Sequence, residues 1–129
     1  MVTSSYKNLI VWQKAMELTA EIYKLVKKLP KVENYSLCDQ MRRSVVSIPC
    51  NIAEGHERES KKELIYFLSI ARGSKAELET QLLITVKVNY LTDTDIFVAM
   101  NLLTEIGSMI TSLIAKLASP QNQPPKNKN

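Results

Sequence analysis
Apolar residues recur every three or four positions along most of this chain, and nowhere do they alternate in the two-residue rhythm of a strand. From about Tyr6 to Leu29 the stripe is Val11, Ala15, Leu18, Ile22, Leu25 and Leu29, widened by Trp12, Met16, Tyr23 and Val26. Lysines and glutamates fill the opposite face, so this segment reads as an amphipathic helix stopped by Pro30. A second helix is predicted from about Tyr35 to Glu54 on Cys38, Met41, Val45, Ile48 and Ile52. Pro49 lies inside it, where it removes a backbone donor and crowds the carbonyl of Val45, so a kink is expected there. Gly55 reads as the residue that ends this helix. A third helix opens on the capping-box pattern Ser60-Lys61-Lys62-Glu63 and runs to about Asn89, with Leu64, Phe67, Leu68, Ala71, Ser74, Leu78 and Leu82 inward. A fourth starts near Asp93 or Asp95, acids suited to a helix N-terminus, with Ile96, Met100, Leu103, Gly107, Ile110, Ile114 and Leu117 on one side. The short connections force antiparallel neighbours. The expected fold is all-α: an antiparallel up-down-up-down four-helix bundle over residues 6–118, kinked at Pro49. A polar, proline-rich tail without fixed structure is expected over 119–129 (SPQNQPPKNKN).

Size and composition agree. At 129 residues, 45% hydrophobic and 23% charged, the chain suits one domain that needs no metal or disulfide staple. Cys38 and Cys50 are the only cysteines. On one helix they would stand about 18 Å apart by rise, too far to bridge, and they read as two core-filling thiols in a reducing compartment. Met1 to Ser5 carry no apolar leader, and the uncharged stretch Ile106 to Ala115 is too short to cross a bilayer that needs about 20 residues. A cytoplasmic protein that does not enter a membrane is expected. The net charge of +4 leans toward anionic partners, but no segment is a strong polycation. A nucleic-acid surface would therefore have to be assembled from several helices or several subunits.

The apolar positions are too many for one isolated bundle. A bundle helix needs an apolar stripe about 100° wide. Leu82, Leu83, Ile84, Val86, Val88, Tyr90 and Leu91 go round most of theirs, and Ile96 to Met100 do the same. A homo-oligomer interface including Leu83, Ile84, Val88, Phe97, Val98, Leu102 and Met109 is the preferred reading, with burial of a central helix as the alternative.

Catalytic chemistry finds few candidates. His56 is the only histidine, and Glu54, His56 and Glu57 have the wrong spacing for a di-iron bundle. There is no nucleophile elbow or glycine-rich phosphate loop, and Glu77 and Glu79 are two apart, so they do not face each other on a helix. No catalytic residue, metal or cofactor is expected. The basic residues remain. Arg42 and Arg43 are adjacent, Arg58, Lys61 and Lys62 cluster between the second and third helices, and Arg72 and Lys75 lie one turn apart. These are the candidate phosphate contacts. Taken one by one, each reads more readily as a solvated surface charge, and Arg42 is placed to pair with a carboxylate such as Glu77 or Glu79. No aromatic stacking platform is apparent in the sequence.

The stretches VWQKAMEL (11–18), QMRRSVVSIPCNIAEG (40–55) and FLSIARGSKAELETQL (67–82) together resemble the four-helix bundle family encoded in intervening sequences of bacterial 23S ribosomal RNA genes. The resemblance covers about residues 6–117. It implies bundles that assemble into rings, typically pentamers, without a known enzyme activity. A related branch is the accessory protein of diversity-generating retroelements, which contacts nucleic acid and a partner protein. The family's motif positions fall on Arg42, Arg43, Ser47, Asn51, Glu54, Gly55, Gly73, Ser74 and Glu77, mostly in structural roles. Cys50, Glu57 and Lys75 depart from the commonest residues, and Glu57 subtracts positive charge at the corner.

Overall fold
The computed structural model describes residues 5–120. Among them there are four long helices and no strand: α1 (Ile10–Val26), α2 (Leu37–Glu57), α3 (Lys61–Lys87) and α4 (Asp93–Ala118). Single 3-10 turns at Tyr6–Asn8 and Lys31–Glu33 precede α1 and α2. The expectation for residues 121–129 lies outside the described residues, as does that for the first four.

Each helix touches two others, in the cycle α1–α2–α3–α4–α1, which makes a four-helix bundle. The α2–α3 contacts run Ser44 to Glu77, Ser47 to Ser74 and Gly55 to Phe67, rising along one helix as they fall along the other. The α1–α4 ion pairs, Lys14 to Glu105 and Lys28 to Asp95, do the same. The core is the set of inward stripes: Leu18, Ile22, Met41, Val45, Ile48, Ile52, Leu68, Leu78, Leu82, Leu103, Ile106 and Ile110 are fully buried. Met16 and Tyr23, expected at the stripe's edge, are exposed.

Helix ends follow backbone chemistry. The Ser60 hydroxyl accepts from the Glu63 N–H at 3.1 Å. Thr92 and Asp95 form the full reciprocal box, each side chain accepting from the other's backbone N–H. Just past the end of α3, Asn89 has a φ of 64°, the left-handed conformation that closes a helix. Asn89 N–H donates to the Val86 carbonyl and Tyr90 N–H to that of Thr85.

Three expectations need correction. Gly55 does not end α2: the helix continues to Glu57, and Gly55 is buried where α3 comes close. Cys50 is exposed, whereas Cys38 is buried with its thiol toward the Val26 carbonyl. Leu102 is 8% exposed and belongs to the core, because α4 buries a second row of Ala99, Leu102 and Ile106 beside the predicted one. That second row also bears on membrane crossing. α4 is long and apolar enough to span a bilayer, and a third of its most apolar stretch is buried inside the bundle.

Candidate nucleic-acid interface
The seven candidate cations do not form one cluster. Arg42 and Arg43 sit near the start of α2, Arg58 follows its end, Lys61 and Lys62 open α3, and Arg72 and Lys75 lie midway along α3. Most already have partners. Arg42 donates to the Asn34 carbonyl at 2.9 Å, not to Glu77 or Glu79 as expected, because the α1–α2 link brings that carbonyl within its reach. Arg43 pairs with Asp39 one turn back at 3.1 Å. Arg58 pairs with Glu54 at 3.0 Å and with Glu63 at 3.6 Å. Its guanidinium also stacks 5.0 Å from the centre of the Phe67 ring. Lys75 pairs with Glu79. Arg72 is exposed and, among the described residues, has no partner; the same holds for Lys62.

Arg72 and Lys75 are brought together on the wall of a groove of about 470 Å³ between α3 and α4. The opposite wall is Thr104, Gly107, Ser108, Thr111 and Ser112, a row along α4 that sequence reasoning did not connect with the arginine. Gly107 makes room for the lysine: a Cβ there would stand 2.9 Å from Lys75 Cε. Arg72 and Lys75, the latter shared with Glu79, face the hydroxyls of Ser108, Thr111 and Ser112, while Thr104 donates its own to the Met100 carbonyl at 3.1 Å; the arrangement suits an anion. The positive ends attract it, and the Ser108, Thr111 and Ser112 hydroxyls can donate to its oxygens without adding charge.

A polar seam runs between α2 and α3. Ser47 and Ser74 hydroxyls meet at 2.7 Å, and Asn51 Nδ2 donates to the Ser47 carbonyl and hydroxyl. Ser44 donates to Glu77 at 3.0 Å. Gln81, on the same side of α3, is 5% exposed and its Oε1 has no partner among the described residues. These residues tie the two helices together, with Ser44 and Gln81 buried and Glu77 exposed at the seam's edge. His56 is half-buried at the end of α2, and its buried Nδ1 has no partner among the described residues. No three His, Cys, Asp or Glu side chains among the described residues come together as metal ligands.

The apolar candidates divide. Leu83, Ile84, Val88, Phe97 and Val98 are exposed, whereas Met109 is half-buried beside a mainly apolar groove shared with Leu9, Ile10, Val11 and Leu113. Sequence reasoning missed Val32 and Tyr35, which are 81% and 91% exposed in the α1–α2 link. The signal was two large apolar residues flanking a link between helices. Tyr90 Oη donates to Glu33 at 2.8 Å and so places that link beside the α3–α4 turn, where Val88 is also exposed.

Fold and surface together define a class: a small four-helix bundle with a basic, hydroxyl-lined groove and an excess of exposed apolar side chains. The family described as 23S rRNA-intervening sequence protein matches residues 7–112, and the chain belongs to it. A crystal structure of a protein of unknown function from the S23 ribosomal protein family of Bacteroides thetaiotaomicron is similar, with a TM-score of 0.76 and 29% identity. The match covers 81% of this chain and 98% of that one. No curated protein matches the chain.

Proposed function
We propose that the protein is a non-enzymatic, cytoplasmic homo-oligomer that associates with RNA or DNA through phosphate contacts, with the α3–α4 groove as the phosphate site. The observation that carries this reading is Arg72, an exposed guanidinium without a partner among the described residues, set beside Lys75 and opposite a row of hydroxyls. Arginine, lysine, serine and threonine supply most contacts to a nucleic-acid backbone. One groove on a +4 chain binds weakly, but a ring repeats it in every subunit and multiplies the avidity. The family resemblance implies five copies, and the exposed Leu83, Ile84, Val88, Phe97 and Val98 supply apolar surface for assembly. We take the helices to run up and down in antiparallel order, as the opposed contact numbers along α2–α3 and α1–α4 suggest. We take α2 to bend at Pro49, which lies buried within the helix.

The test is substitution in the groove. Arg72→Glu should weaken binding of a structured RNA or a duplex DNA by at least tenfold while the far-ultraviolet circular dichroism is unchanged. Arg43→Glu, whose arginine is held by Asp39, should weaken it much less. Wild-type affinity in Arg72→Glu would remove the groove from the account. The exposure of Val32 and Tyr35 favours a second reading, an oligomeric scaffold that binds a partner protein and no nucleic acid. It predicts no salt-sensitive binding to either probe.

A further inference from the structure
We infer that Tyr66, with the groups that brace it at the α2–α3 corner, is a stacking platform for an unpaired nucleobase. This rests on the nucleic-acid reading above and narrows its substrate to RNA or DNA with a single-stranded or looped stretch. Tyr66 is 61% exposed on a continuous helix, so its ring face is not occupied by the core. It is nevertheless held in place. Phe67 meets it edge to face, with ring centres 5.2 Å apart and planes at 81°. Phe67 is in turn covered by the Arg58 guanidinium, and Arg58 is fixed by Glu54 and Glu63. A braced aromatic loses little freedom when a base stacks on it, so more of the stacking energy appears as affinity.

The surroundings suit a nucleotide. Arg58, Lys62, Glu63, Tyr66 and Phe67 bound a recess of about 470 Å³. Lys62 lies one helical turn before Tyr66 on the same face and has no partner among the described residues, so its ammonium is available to the phosphate of the stacked nucleotide. Glu63 is engaged by Arg58, which offsets its repulsion toward that phosphate. Ser69 and Gly73 continue the same exposed face, and a Cβ at Gly73 would meet nothing within 4 Å, so a strand could lie along α3 toward Arg72. A base pair inside a duplex has both faces covered by its neighbours and cannot stack here; an unpaired base can.

The test uses the full chain and three probes of equal length: a single-stranded DNA, a hairpin RNA with a large loop, and a fully paired DNA duplex. The two unpaired regions carry a fluorescent adenine analogue whose emission falls when it is stacked. Wild type and Tyr66→Phe should bind the single strand and the loop and quench the analogue. Tyr66→Ala should lose roughly tenfold in affinity for those two probes, and the quenching, with duplex affinity unchanged. Equal affinity and quenching in Tyr66→Ala would overturn this inference and leave the phosphate groove standing. Failure of wild type to bind any of the three would overturn both.

Discussion
Gly55 and Gly73 are both glycines inside helices, and they stand in opposite surroundings. A Cβ on Gly55 would lie 2.9 Å from Phe67 Cβ and 3.3 Å from the Leu64 carbonyl oxygen, both fixed to the α3 backbone. Gly55→Ala gains helix propensity of about 1 kcal/mol but forces α2 and α3 apart, and overpacking of this kind costs about 1–3 kcal/mol. A lowered urea midpoint is expected. Gly73→Ala meets nothing and should stabilise by about 0.5–1 kcal/mol, raising the midpoint. Sequence reasoning took Gly55 as a helix stop because glycine most often serves that end; the approach of a second helix leaves no local mark. Asn89 takes the left-handed conformation two residues beyond α3, close to where the apolar pattern alone places the end of that helix.

Elements were legible where the apolar period is clean. The inward stripes of α1 and α2 are buried as the spacing predicts, from Val11 to Leu29 and from Cys38 to Ile52. Cross-helix partners were not legible: Arg42 turned to the Asn34 carbonyl, and the wall opposite Arg72 came from α4. Gly107 offers a probe of that wall. Gly107→Ala would push the flexible end of Lys75 aside without crowding backbone, so nucleic-acid affinity should fall severalfold while the urea midpoint does not fall, alanine's helix propensity favouring the folded state. An unchanged affinity would mean that Lys75 does not contact the ligand. The links between elements titrate. Glu33 accepts from Ser36 and Tyr90, which hold its carboxyl below the ordinary carboxylate range, the Ser36 bond having the larger effect. Its folded-state pKa is depressed, so its contribution is present above the unfolded value and lost as pH falls through the folded one. Tyr90 is shifted up, chiefly by that same bond, so its contribution is present below the ordinary tyrosine value and lost as pH rises through the folded one. Glu33→Gln should flatten both limbs of the stability profile, read as urea midpoint against pH.

For the whole molecule, the excess of apolar positions was visible in the sequence, but its division between core and surface was not. Leu102 looked outward in the pattern and is buried, because α4 packs against both α1 and α3 and so buries two rows. Leu83, Ile84 and Val88 remain outside at the end where Val32 and Tyr35 also stand clear. If this end joins copies, Ile84→Lys with Val88→Lys should reduce the mass in sedimentation equilibrium to that of one 14.6 kDa chain. An unchanged mass would place the interface elsewhere.

The most direct test of phosphate-mediated association is the salt dependence of binding, followed by fluorescence anisotropy of a labelled structured RNA and a labelled duplex DNA. The account predicts that log K falls linearly with log salt, by about 0.9 per phosphate neutralised on the duplex, and that Arg72→Glu makes the slope shallower. Absence of binding at low salt, or an affinity indifferent to salt, would contradict it.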